Sequence, residues 1–449
     1  MNAGDTAWVL AASALVLLMT PGLAFFYGGM VRSKSVLNMM MMSFITIGIV
    51  SILWVFYGFA EAFGDGTSSI WGTLGKSHLG DQVNALATNG AVLTIPVLVF
   101  AAFQLMFAVI TPALISGALA DRTKFLTWGI FVVIWCTLVY FPVAHWVFDF
   151  GGKDATGAGW LAARGVEDFA GGTAVHINAG AAGLALCLII GKRVGWRKDP
   201  MRPHNLPLVL IGSGLLWFGW FGFNAGSSLA ANGLAALAFM NTQVATAAAV
   251  LGWLAVEKLR DGHPTSLGAA SGAVAGLVAI TPACAFIAPW AAVLLGIVAG
   301  AICSWAVSLK FRFGFDDSLD VVGVHMVGGI VGTLFIGFAG NHAVNTVGIN
   351  GLFYGGGFTL LGKQMLGAFS VLGYSFVMTL IIGYALHKTL GFRIPRDAEI
   401  EGIDLTEHAE AAYDWGSIGG GVFSGAGSLS GAGASSHGSS SQSESEVSA

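Results

Sequence analysis

DFAGGTAVHINAG, residues 168–180, opens an apolar run that continues through AAGLALCLIIG and stops at KRVGWRK. The run is long enough for a helix that crosses a bilayer. Yet His176 sits about two helical turns inside it. Ionisable groups at membrane depth are costly and usually mark a pathway. A second stretch repeats the pattern. DSLDVVGVHMVGGIVGTL, residues 317–334, carries His325 inside another apolar run. Val precedes both histidines, Gly follows each at +4 and +7, and Leu184 and Leu334 close the runs. Glycines at those offsets lay a small-residue stripe on the histidine face, so each ring is expected to point into a close helix–helix contact.

Composition fixes the solvent. Of 449 residues, 55% are hydrophobic and only 10% charged, and mean hydropathy is +0.76. A chain so poor in charge cannot coat a water-facing surface, which excludes a soluble domain and points to an all-α polytopic membrane protein. The 65 glycines lie inside apolar runs without a collagen period, as in a compact helical bundle. Cys136, Cys187, Cys284 and Cys303 show no CxxC spacing, so buried free thiols are expected, with no disulfide framework and no metal site. MNAGDTAW has no basic region of the kind that opens a signal peptide, so the first span is expected to remain.

Hydropathy gives eleven candidate spans: 7–31, 39–60, 92–119, 125–148, 169–191, 205–227, 236–258, 265–281, 289–309, 322–340 and 360–388. Sixteen of the 20 Lys and Arg fall in alternate loops and the C-terminal tail, leaving Lys76, Lys153, Arg164 and Lys363 on the other side. The basic side is expected to be cytoplasmic, with the N-terminus outside. The two histidine helices are fifth and tenth in order. Halves of five helices face opposite ways, giving inverted five-helix repeats plus one extra helix, a layout that places a site near the midplane. Residues 1–388 form the transmembrane domain and 389–416 a charged cytoplasmic region. The Gly/Ser-rich tail, 417–449, lacks the apolar mass to order itself.

Asp168 and Asp320 lie near the starts of the histidine helices. Capping and loop anchoring is the favoured reading for both, with a cation-biasing role open for Asp168. Phe103 and Phe107 stand one turn apart, and Trp220, Phe223 and Ser227 share a face beside Asn224. An aromatic stripe ending in a hydroxyl suits a small cation.

Together DFAGGTAVHINAG, GWFGFNAGS, PGLAFFYGG, ADRTKF, PHNLP, TPAC and DDSLDVVGVH resemble the Amt/Mep/Rh ammonium transporter family, on its Amt branch, from about residue 7 to Trp415. The resemblance implies a homotrimer of eleven-helix protomers in the cell membrane, each with its own pore for ammonium or ammonia and no cofactor. It implies an outer recruitment site at Phe107, Ser227, Trp220 and Phe148, a gate at Phe107 and Phe223 with Phe103 beside it, and a histidine pair, His176 and His325, lining the pore. It also implies a PII-type signalling protein as a cytoplasmic partner, and methylammonium as a substrate analogue. Relatives commonly carry Trp where this chain has Phe148, and Phe gives a weaker cation–π face. An insertion that follows brings Trp160 as a candidate replacement.

An ammonium sensor signalling through its tail is the alternative, although no kinase or cyclase pattern follows residue 416. A membrane enzyme using both histidines would need a third ligand or acid–base partner that the sequence does not offer. Nothing suggests nucleic-acid binding.

Overall fold

The computed structural model of the protein describes residues 1–64, 66–74, 79, 83–152 and 156–413. The expected tail, 417–449, lies outside the described residues. Among the described residues, ten helical segments are long and apolar enough to cross a membrane: α1 (Ala3–Met30), α2 (Val36–Phe63), α3 (Val97–Leu119), α4 (Phe125–Phe148), α5 (Gly172–Ile190), α6 (Leu206–Gly226), α7 (Gly233–Asp261), α9 (Pro289–Phe313), α10 (Val322–Ala339) and α11 (Thr359–Thr389). The shorter α8 (Ser266–Ile280) supplies the eleventh. The protein is therefore a multi-pass membrane protein with the expected number of spans.

One boundary moved for a clear reason. The third span was expected from residue 92, but Val92–Pro96 is a strand, β2, paired antiparallel with β1, Leu86–Thr88. Pro96 has extended backbone and no N–H, so the helix begins only at Val97.

The two halves are joined by close backbone approach. α1, which opens the first half, packs along α6, which opens the second. A Cβ on Gly212 of α6 would lie 2.2 Å from the Phe26 nitrogen of α1, and one on Gly222 would lie 2.7 Å from the Ala12 oxygen. The α5–α10 crossing works the same way. A Cβ on Gly180 would meet the Met326 nitrogen at 2.5 Å, one on Gly183 would meet Val321 at 3.4 Å, and one on Gly329 would meet the Gly172 oxygen at 2.8 Å. Higher residues on one helix thus meet lower residues on the other, so the pair is antiparallel, as inverted repeats require. Both glycines of each +4/+7 stripe sit at tight contacts, although Gly183 is tightest against Ala118 of α3 (3.2 Å) and Gly332 faces α8.

Two short helices follow α11: α12 (Arg396–Glu401) and α13 (Ile403–His408). They act as caps for distant helices. Neither Ser35 nor Lys124 caps the helix it precedes with its own side chain. Asp404 instead accepts from the backbone N–H of Leu37 (3.0 Å) and Asn38 (2.8 Å), and Glu407 accepts from that of Phe125 (2.8 Å). Each carboxylate meets the free N–H groups and positive dipole end of a helix start. Glu399 accepts from Val194 N–H (2.6 Å) and pairs with Arg393 (2.7 Å). At the same end of the bundle Arg122 is fully buried, donating to the Asp316 carbonyl (2.6 Å) and Ser318 (2.6 Å). Burial opposes ionisation of Asp316, but Arg193 and Arg122 hold its carboxyl below the usual range.

A Cβ on Gly332 would lie 2.0 Å from the Ala279 oxygen of α8, a backbone atom that cannot swing away. Gly332→Val is therefore expected to abolish monodisperse protein in detergent. Size-exclusion chromatography against Gly373→Val, at a position with open space around the glycine, checks this.

Candidate functional site

The site begins at the starts of α5 and α10. Both open on π-helical turns, Gly172–Ile177 and Val322–Met326, before regular α-helix resumes. The His176 N–H reaches back to the Gly171 carbonyl (3.1 Å), five residues away. Such wide turns frequently accompany functional sites because they re-aim one side chain without ending the helix. Here each π-turn carries the histidine.

A carboxylate holds each turn. Asp168 Oδ1 accepts from the N–H of Gly171 (2.8 Å) and Gly172 (2.7 Å). Its Oδ2 accepts from Thr173 N–H (2.8 Å) and Thr173 Oγ1–H (2.5 Å). In α10 the capping residue is Asp317, which accepts from Val321 (3.1 Å) and Val322 (2.7 Å). This corrects the capping half of the expectation for Asp320 and leaves its loop anchoring in place. Its side chain instead pairs with Lys310 at 2.5 Å, and its backbone is left-handed at φ 66°. The true repeat is Asp168/His176 and Asp317/His325, eight residues apart in both halves. That equal spacing was present in the sequence, but Asp320 lies nearer to His325 and drew the assignment.

The two rings meet. His176 Nδ1 and His325 Nδ1 are 3.3 Å apart, with ring centroids at 5.3 Å and planes inclined by 20°. Both residues are buried, at 1% and 3% exposure. A hydrogen bond between two Nδ1 atoms needs one to donate and the other to accept, so a pair of neutral rings bonded here has to hold opposite tautomers. His176 Nε2 is buried without a protein partner among the described residues.

Aromatic rings continue from the pair. Trp220 stacks on His176 at 5.3 Å and 18°, and its Nε1–H donates to Thr281 Oγ1 (2.8 Å). Phe223 lies 6.1 Å from His176, and Phe107 lies 4.2 Å from Phe223. Phe103 packs edge-on against Phe107 at 5.0 Å. Beyond Phe107 opens a mouth cavity of about 460 Å³, lined among others by Phe107, Phe148, Ser227 and Asp168. Phe148 stands 6.5 Å from Phe107, and Ser227 Oγ–H donates to the Phe223 carbonyl (2.8 Å).

The sequence assignments thus fall into one column, with one displacement. Phe107, Ser227 and Phe148 line the mouth cavity. Trp220 does not. It is buried on His176, deeper than the cavity-lining residues, because α6 turns that face toward α5 and α8. Trp160 is not among the cavity-lining residues; it packs edge-on against Trp146 at 5.6 Å, with Arg164 over its face. Sequence reasoning missed Thr281, which orients Trp220, and Glu167, which lines the cavity beside Asp168. The TPAC motif carries Thr281, and a carboxylate directly preceding the Asp168 cap was there to be read.

Five hydrogen bonds to two oxygens is a set that an amide cannot satisfy, since its NH2 would face donors. Asp168→Asn is expected to lower stability by about 2 kcal/mol or more. A thermal melt followed by tryptophan fluorescence reads it, with Asp320→Asn as the milder comparison.

Comparison with known proteins places this column in context. Residues 7–413 match the model of the Ammonium Transporter Family. An ammonium transporter of Mycobacterium tuberculosis is 56% identical over 444 residues, covering 94% of this chain and 92% of the relative. One from Bacillus subtilis is 46% identical, covering 92% and 99%. Among solved structures, Candida albicans Mep2 superposes with a TM-score of 0.80 at 33% identity, covering 88% of this chain and 87% of that one. A structure described as a sensor Amt protein gives 0.82 at 26% identity, covering 90% and 98%. With a helical bundle of eleven spans and a family match over nearly its whole described length, the chain belongs to the Ammonium Transporter Family.

Proposed function

We propose that the chain conducts ammonium through the column just described, and that each layer has one task. The mouth cavity recruits the cation, with Phe107, Phe148 and Ser227 offering π-faces and a hydroxyl. Phe107 and Phe223, braced by Phe103, form a gate that strips water. His176 and His325 line a narrow path below it, with Trp220 fixing the first ring. Asp168 acts mainly by holding the π-turn, and Asp320 by anchoring the α9–α10 loop through Lys310.

The observation that carries this reading is the direct contact of two buried histidines beneath a stack of aromatic rings. Ammonium and potassium have similar size and charge, so a charged ring alone separates them poorly. Ammonium alone can donate directed hydrogen bonds and surrender a proton. An apolar constriction makes the charged form costly. A buried ring nitrogen, such as His176 Nε2, then offers ammonia a hydrogen-bond partner, and the shared pair offers a place for a proton.

The same reading extends to the assembly. The chain sits in the cell membrane as a homotrimer, with the mouth cavity outside and the basic loops in the cytoplasm. Residues 389–416 form a cytoplasmic region whose carboxylates tie it to α2 and α4, a surface suited to a PII-type signalling protein. Residues 417–449 serve as a tail dispensable for conduction.

His176 decides the mechanism. His176→Ala leaves no polar partner along the path, so uptake of labelled methylammonium into vesicles should fall at least tenfold. His176→Asp puts a carboxylate beside His325 and lowers the cost of any monovalent cation there. That variant is expected to pass ammonium and also admit potassium. Potassium flux into vesicles at matched protein content is the test. A potassium-tight His176→Asp that still conducts ammonium would show that selectivity lies outside the histidine pair.

A further inference from the structure

Asp168 lines the mouth cavity, but its oxygens are committed. All four of its shorter hydrogen bonds come from donors fixed at the start of α5. Its neighbour Glu167 lines the same cavity and is held differently. The Glu167 backbone is pinned on both sides by Gln364: its N–H donates to Oε1 (2.8 Å) and its carbonyl accepts from Nε2 (2.6 Å). The side chain is 8% exposed. Oε1 accepts from the Ile349 N–H at 2.8 Å, which fastens the segment carrying Asn345, Val347 and Ile349, all cavity-lining residues. Oε2 is buried and has no hydrogen-bond partner among the described residues.

A carboxylate with one oxygen unpaired keeps a field that is not cancelled locally, and a cavity with low-dielectric walls focuses such a field. The mouth cavity has those walls in Phe107, Phe148, Phe169 and Phe286. We propose that Glu167, rather than Asp168, supplies the charge that draws small ammonium cations into the mouth cavity. This rests on the transport reading above and assigns its recruitment step a specific source. Lys363 lines the same cavity and opposes the attraction.

The proposal carries a pH dependence. Burial pushes the Glu167 carboxyl up to about 7, against the Ile349 N–H and Lys363, which favour the charged form. Two other charged groups accompany it, Asp168 on its own segment and Lys363 on α11; the α10–α11 loop that bonds to it through Ile349 also carries His342, whose Nδ1 is engaged by the Gly348 carbonyl (2.7 Å). Above about pH 7 Glu167 is ionised and recruits; as external pH falls through that value the carboxyl takes a proton and recruitment fades.

The test uses the full chain in proteoliposomes at low ionic strength, reading initial methylammonium uptake at external pH 8 and 5.5. Glu167→Gln keeps an acceptor for Ile349 but never ionises. Its KM is expected to exceed that of wild type by about three- to tenfold at pH 8, with maximal rate within about twofold, and to converge on wild type at pH 5.5. Lys363→Met, which leaves the Glu167 packing intact, is expected to lower KM at pH 8 and guards against a Glu167→Gln protein that fails to fold. Equal KM for Glu167→Gln and wild type at pH 8 overturns the proposal. So does a KM ratio that is the same at both pH values, a loss of maximal rate with KM unchanged, or an unaltered KM in Lys363→Met. Failure of wild type itself to take up methylammonium would count against the transport reading instead.

Discussion

The contact between His176 Nδ1 and His325 Nδ1 sets the terms for the rest of the molecule. The two imidazoles meet at 3.3 Å where their helices also cross closely, with small residues at the crossing. Gly180 and Gly329 meet that need, since a Cβ on either would collide with the other helix. The rings must also be aimed at each other from antiparallel helices. The π-turns do this, and wide turns leave helix-start N–H groups that need acceptors. Asp168 and Asp317 are those acceptors, eight residues before each histidine. The carboxylate, the wide turn, the histidine and the glycines are therefore one device, used twice in opposite senses.

Much of this was legible in the sequence because membranes simplify the code. Backbone groups must be satisfied within each span, so apolar length alone located the eleven helices. Small residues report close crossings, so the glycine offsets from His176 and His325 point each ring into a close helix–helix contact. The failures have equally physical causes. The capping role went to Asp320 because proximity was weighed above spacing, while the left-handed backbone at Asp320 turns its side chain to Lys310. Trp220 shares a face with Phe223 and Ser227, and the family resemblance groups it with the recruitment residues. Depth along a helix, however, separates residues sharing a face, and a position seven residues from Ser227 lies about 10 Å deeper. Glu167 escaped notice because partner count, not residue type, distinguishes it from Asp168.

The two ends of the bundle solve different problems. At the mouth, carboxylate and aromatic groups surround an open cavity. At the other end, Asp404, Glu407 and Glu399 cap helix starts or loops from a segment hundreds of residues away in sequence. That segment also buries Phe392, Ile394 and Ile403 in the bundle, and the caps add to this packing. Any event that pulls it away uncaps α2 and α4, the latter carrying Phe148 at its far end.

The central claim is that the histidines form a single hydrogen-bonded pair of opposite tautomers. Nitrogen-15 NMR of histidine-labelled protein in lipid, with His176→Gln and His325→Gln for assignment, measures it at each ring. The account requires one ring protonated at Nδ1 and the other at Nε2 near pH 7, with a coupling or shift perturbation between the two Nδ1 atoms. Two imidazolium rings, or two rings both protonated only at Nε2, would contradict it.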